Sequence, residues 1–328
     1  MNDEDEDFEG GIDALIERAE EALEHGDPAT AASLYAEAAE IDDEDREVLS
    51  FAIMLAAAAE DVGAVKTALD RLLEVCEDDP LALVTAAGWF YDFLLNPKAA
   101  LTLLEIADER LAASKDEELR GVRVETLVLT AGCRGETGDL EGALSAAQAA
   151  LALAGDDAIE VVTALAAAEI DVRRFSDAIA RLSTHAEADA EAMRLMGWAH
   201  RLSGDDTKAA EAFKKAARAS PELTEPITID PAKLAAIAAK VMATLPPPLL
   251  VLARGVPVRV EALPTGQDPP RALLLTSGED APEAMRFFHR NIEVVAAQLD
   301  ELPRIIEALL LRDLSEYMGD ELDDDDLE

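Results

Sequence analysis

Aromatic side chains are scarce in this sequence, at 4% of 328 residues, although half of the chain is hydrophobic and alanine and leucine dominate that half. The length leaves room for two domains with cores of their own, and the shortage of aromatic and β-branched runs excludes an all-β protein in favour of helices touching through small side chains. Basic residues are also short: 28 Lys and Arg stand against 70 Asp and Glu, a net charge of -42. Phosphate backbones and anionic lipid surfaces are repelled by such a chain, so neither nucleic acid nor membrane is an expected partner. A basic protein partner fits the charge, and so does the plainer reading that the charge keeps the protein soluble in a salty cytoplasm. Cys76 and Cys133 are the only cysteines, too few for a disulfide framework and without metal-ligand spacing, so both are expected as reduced core thiols. The four histidines, His25, His185, His200 and His289, are scattered, with none three or four residues from another. No uncharged apolar run of about 18 residues occurs, and the acidic start lacks a basic region followed by an apolar one, which makes a cytoplasmic location the expectation. Phosphate-cradling glycine loops, nucleophile elbows and basic patches interleaved with aromatics are absent as well.

What the sequence does contain is a period. In "RLSGDDTKAAEAFKKAARASP", Gly204 and Asp205 turn the chain, Ala209 supplies a small contact, and Phe213 and Ala216 share its face. The pattern recurs as Gly26, Asp27, Ala31, Tyr35, Ala38 and as Gly138, Asp139, Ala143, Ala147, Ala150. Weaker copies run through Val65, Leu69, Leu72, through Ala100, Leu104, Ala107 and through Ala178, Leu182, His185. The small position therefore falls at 31, 65, 100, 143, 178 and 209, in steps of 34, 35, 43, 35 and 31, with the long step placed around "ASKDEELRG". A step of about 34 is the period of the tetratricopeptide repeat (TPR), which this stretch resembles, with Gly197 and Pro221 in the last unit and Gly88 and Tyr91 in the third at the signature positions of close helix crossing. Six helix pairs over residues 11–222 are expected, after an acidic disordered N-terminus at 1–10.

The resemblance implies a solenoid whose first helices line a concave, peptide-binding groove. In this register Trp89 and Trp198 occupy equivalent groove-facing positions, with Phe93, Arg194 and Arg201 near them, and rigid aromatic anchors of this kind suit a protein or peptide ligand. Packing between repeats is the other use such tryptophans serve. With Arg194 and Arg201 as the main cations, capture of a chain terminus is not expected.

After Pro221 the period stops. A proline-rich linker at 223–230 leads to a helix, "PAKLAAIAAKVMATL", capped by Asp230 and stopped by "PPP". Two β-rich pieces follow, "LLVLARGVPVRVEAL" and "RALLLTS", and a last helix opens at "DELP" and runs to Gly319. The fold class is thus mainly α: an α-solenoid of TPR-like helix pairs followed by a small α/β domain at 231–319 and an acidic tail at 320–328. That tail lacks the alternating spacing and central glycine of a calcium loop.

The order of elements in 231–319, and the stretch "RFFHRNIEVVAAQLDELPRIIEALLLRDLSEYMGDELDDDDLE", is similar to the minimal zincin-like metallopeptidase family. Laid on this chain, that family's His-Glu-x-x-His helix puts Arg312 and Glu316 at the two histidine positions and Asp313 at the catalytic glutamate. Tyr317, Met318 and Gly319 keep the trailing aromatic-apolar-glycine pattern, and the third ligand falls on Leu322 beside Asp323. A permanent cation opposes Zn²⁺, one carboxylate does not hold it, and Arg312 and Glu316 at i,i+4 are expected to pair instead. The expectation is a non-catalytic interaction scaffold with a zincin-like domain that has lost its metal ligands, carrying no cofactor and no metal. A zinc-dependent metallopeptidase with substrate-presenting repeats is the alternative.

Overall fold

The structure is a computed structural model that describes residues 11–114, 116, 119–185, 189–315, 317 and 318. The expected terminal segments 1–10 and 320–328, with Gly319, Leu322 and Asp323, lie outside the described residues. The chain divides into two compact units between Asp156 and Asp157.

The first unit is four antiparallel helix pairs: α1 (Ile12–Glu24) with α2 (Pro28–Ile41), α3 (Arg46–Ala58) with α4 (Val62–Val75), α5 (Pro80–Asp92) with α6 (Pro97–Ala113), and α7 (Leu119–Glu136) with α8 (Leu140–Ala154). The second unit opens with two more pairs, α9 (Ile159–Asp171) with α10 (Phe175–Leu182) and α11 (Ala190–Leu202) with α12 (Asp206–Ala219). The period is thus spatial as well as sequential. The small positions 31, 65, 100, 143, 178 and 209 are all at most 2% exposed, each at the heart of its own pair, and Leu69, Leu72, Leu104 and Leu182 beside them are fully buried. Burying one such leucine contributes about 1.5–3 kcal/mol.

Each pair turns by the same local device. Five residues before each small position the backbone adopts positive φ, at Gly26, Glu60, Leu95, Gly138, Arg173 and Gly204. In five of the six turns the next amide reaches back five residues, as in Asp27 N to Ala22 O (2.8 Å) and Asp205 N to His200 O (2.8 Å), which satisfies the last carbonyls of the first helix. The following helix is capped by the side chain of Asp27, Asp61, Asn96, Asp139 or Asp205, each accepting from the amide three residues on. The α5–α6 turn is wider, closing through Leu94 N to Trp89 O and Asn96 N to Phe90 O. There Leu95 holds φ 50° while 79% exposed, so it bears the left-handed penalty without burying its side chain. Leu95→Gly should therefore raise the stability of the first unit by about 0.5–1 kcal/mol, the penalty relieved less the added freedom of the unfolded chain, as read by chemical denaturation.

The signature glycines separate. A Cβ on Gly197 would lie 2.7 Å from the Phe213 ring, so this is a true close crossing. Around Gly88 no atom lies within 4 Å of the Cβ position, and the expected crossing is not made there. The long step between the third and fourth pairs comes from length as well as connection: α6 has 17 residues and α7 has 18.

The rest of the second unit is an α/β module. Asp230 caps α13 (Pro231–Met242) through the Ala232 and Lys233 amides, as the sequence implies. "PPP" both ends that helix and starts another, α14 (Pro247–Ala253), because proline at a first turn is pre-set for helix. The strand expected at "LLVL" is thus helical, with Leu249 and Ala253 buried on one face, and β1 is confined to Val258–Glu261. β2 (Leu274–Ser277) falls in "RALLLTS", and β3 (Ala284–Phe288) pairs parallel with β1 and antiparallel with β2, in the order β1-β3-β2. A short α15 (His289–Val295) and α16 (Leu302–Ser315) complete it. The core gathers Leu234, Leu249, Phe287, Ile292, Ile306 and Leu310, all fully buried. The last helix pairs and the module belong to one compact unit, so the 223–230 linker runs inside that unit and the division falls earlier.

Candidate functional site

Trp89 and Phe93 lie one turn apart at the end of α5, half-buried, edge to face with centroids 5.8 Å apart. They rest on the buried cluster of α3, α4 and α5 that includes Ile53, Leu69 and Ala86. Beside Phe93 a cleft of about 430 Å³ opens, lined also by Val62, Lys66, Asp70, Phe90, Leu94 and Asn96. The extra residue of the α5–α6 turn shifts α5 by one place against the small positions, so that Asp79 matches Asp45, and Trp89 and Phe93 match Leu55 and Ala59 of the α3–α4 pair. Exposed carboxylates stand on other first helices of this unit, at Glu20 and Glu24 of α1 and at Glu136 of α7. The crowding of acid is physical: burial, then Glu47, Glu24 and Glu17, raise the Glu20 carboxyl above its ordinary range. Tyr91, next along α5, donates to Glu136 (2.9 Å), and its phenol is pushed up by burial and by that carboxylate.

Trp198, which the sequence period aligns with Trp89, is placed differently. It is 5% exposed, edge to face with Phe213 at 6.4 Å, in a buried cluster that Val294 of α15 joins. Arg201 is 8% exposed, lies over the Phe213 ring at 5.2 Å, donates to the Arg290 carbonyl, and stands 3.6 Å from Glu293 Oε2. Burial and the neighbouring Arg290 lower the Arg201 guanidinium pKa. Neither side chain offers a ligand surface here, which corrects the expectation that both line an open groove: the chain's own module covers them. Arg194 remains half-exposed and pairs with Glu191 at 3.6 Å. The two aromatics brought together are therefore Trp89 and Phe93, while Trp198, Arg194 and Arg201 belong to the other unit.

Sequence reading missed the links between the module and the last helix pairs. Arg271 makes a bidentate bond to Asp171 of α9 (2.8 and 2.6 Å), Arg173 donates to the Asp268 carbonyl (2.9 Å), and Arg290 pairs with Asp206 of α12. Glu293 is their hub: its side chain accepts from Ile229 N (3.0 Å), its carbonyl accepts from Ile227 N (3.0 Å), and His289 Nδ1 lies 3.5 Å from Oε1. The available signal was the placing of arginines 271, 286 and 290 in so acidic a chain.

On α16, Arg312 is exposed and bonds Asp313 (2.7 Å), whose other oxygen lies 3.3 Å from Thr276 Oγ1. Glu316, the expected i,i+4 partner of Arg312, lies outside the described residues. A zinc ion does not fit a cation already bonded to the neighbouring carboxylate, and among the described residues no three His, Cys, Asp and Glu side chains are grouped to hold a metal. Cys133 is fully buried, its thiol pushed up to about 11 by burial and then by Glu136, and Cys76 is raised by burial. No described helix is long and apolar enough to cross a membrane.

Neither a protein-family model nor a curated protein matches the chain. Among solved structures it is similar to PilW, a widely conserved type IV pilus biogenesis factor, at 13% identity and a TM-score of 0.54, covering 64% of this chain and 94% of that one. It is also similar to Pseudomonas aeruginosa PilF, at 16% identity and a TM-score of 0.51, covering 64% and 92%. These likenesses give no support to the zincin-like reading of the module. Together with the buried 34-residue period, they make the helical part of this chain a tetratricopeptide-type fold.

Proposed function

We propose that this chain is a non-catalytic scaffold that binds a protein or peptide along the first helices of its first unit, with a cationic segment as the ligand. The observation that carries this reading is the half-buried Trp89–Phe93 pair in a unit whose first helices also expose the carboxylates of Glu20, Glu24 and Glu136. Rigid aromatics in partly dry surroundings are the residues from which interfaces draw most of their energy, and those acids supply long-range attraction for lysine and arginine. The α/β module is non-catalytic in this reading, since Arg312 and Asp313 neutralise each other where a metal site would stand.

The test is a fluorescence titration of the full chain with lysine- and arginine-rich peptides that contain an aliphatic residue, beside acidic peptides of equal length. Saturable binding of the cationic set, weakened at least about tenfold by Trp89→Ala or Phe93→Ala, is the expected result. It should also weaken steeply as salt shortens the screening length. Equal binding of both peptide sets, or binding indifferent to Trp89 and Phe93, refutes the reading.

A further inference from the structure

We propose that the α/β module is a detachable clasp, held over α9, α11 and α12 by arginine links rather than by a shared core, so that it can release as a folded body and uncover Trp198, Phe213 and Arg201. The buried residues divide accordingly. The module's core, from Ile227 to Met318, contains no residue of the helix pairs, and Val294 is the only module residue in the cluster around Trp198 and Phe213. The hydrogen bonds and ion pairs that cross between them beside Val294 are Arg271 to Asp171, Arg173 to the Asp268 carbonyl, Arg290 to Asp206, and Arg201 to Glu293 and the Arg290 carbonyl. Polar contacts of this kind are typical where two bodies move relative to one another.

The gripping surface is braced from within the module. Asp268 accepts two bonds from Arg286 (2.9 and 2.7 Å), and the buried Asn291 amide donates to the Pro270 and Ala272 carbonyls (2.9 and 2.7 Å). The loop that carries Arg271 and the Asp268 carbonyl therefore keeps its shape without the helix pairs. Ile227 and Ile229 are tied to Glu293, so they move with the module, and the hinge falls between Ala219 and Ile227, where Pro221 and Pro226 stand.

Single-molecule energy transfer on the full chain tests this, with Cys76→Ser and Cys133→Ala and dyes on Lys214→Cys and Glu307→Cys, both exposed positions on α12 and α16. At about 50 mM salt a single narrow distance is expected. At about 1 M salt, or with Arg271→Glu and Arg290→Glu, a longer and broader population should grow at least about tenfold, because these links are partly exposed and screened. Amide protection in α16 should be retained throughout, and adding Asp171→Arg and Asp206→Arg should restore the narrow distance. A single distance under every condition overturns the proposal. So does a second population that grows only as α16 loses protection, or a swapped variant that fails to close. If the charge-reversed chains do not fold, the salt series on the otherwise unchanged chain decides.

Discussion

Glu293→Ala should remove about 3 kcal/mol from the second unit, read as the shift in denaturation midpoint of Trp198 fluorescence in a Trp89→Phe background. Two costs add. The truncated side chain leaves the Ile229 amide without its acceptor in a buried position, and Arg201, at 8% exposure, keeps Arg290 as a like-charged neighbour after losing its closest anion. Glu293→Gln keeps an acceptor for Ile229 and loses only the charge, so it should fall between the wild type and the alanine variant. Release of the module would return Arg201 to water and limit the loss. An alanine variant within about 0.5 kcal/mol of the parent would show that Glu293 holds nothing together.

Gly197→Ala should destabilise the same unit by about 2–3 kcal/mol, while Gly88→Ala, the same change at the glycine that the sequence period aligns with it, should stabilise the first unit by about 0.5–1 kcal/mol. The added methyl at 197 meets Phe213 Cδ1 and Cε1 at 2.7 Å and Cγ at 2.9 Å, and Cγ sits too near the backbone to swing aside. Trp198 against the ring and Arg201 over it restrict its movement. At 88 the methyl enters open space and lowers only the entropy of the unfolded chain. Thermal unfolding of the two variants checks the pair, and changes of the same sign would refute the assignment of 197 as the close crossing.

The repeat array was legible because its signal is local and redundant: Asp27, Asp139 and Asp205 cap helices, Gly26, Gly138 and Gly204 turn, and a small residue follows at fixed spacing. Where Glu60, Leu95 and Arg173 take the turning position, the backbone does the same thing without the glycine that would announce it. "LLVL" could not be assigned by period, since a short apolar run suits a buried helix and a buried strand alike. Trp89 and Trp198 show the limit at the candidate site. The period aligns them, yet the extra residue of the α5–α6 turn offsets Trp89 by one place, one is half-buried on the surface and the other is covered by α15, and a contact such as Arg271 to Asp171, 100 residues apart, leaves no mark on either stretch.

The aspartates that open the first helices have an evolutionary consequence. Asp45 bonds the Glu47 and Val48 amides at the head of α3, and Asp79 bonds the Leu81 amide at the head of α5. Loss of residues 46–79 would join Asp45 to Pro80 and leave α5 with an equivalent cap, and a duplication of that stretch would do the reverse. Growth or shrinkage of the array by this pair therefore leaves no orphaned helix end, which makes its length adjustable there at little cost to folding.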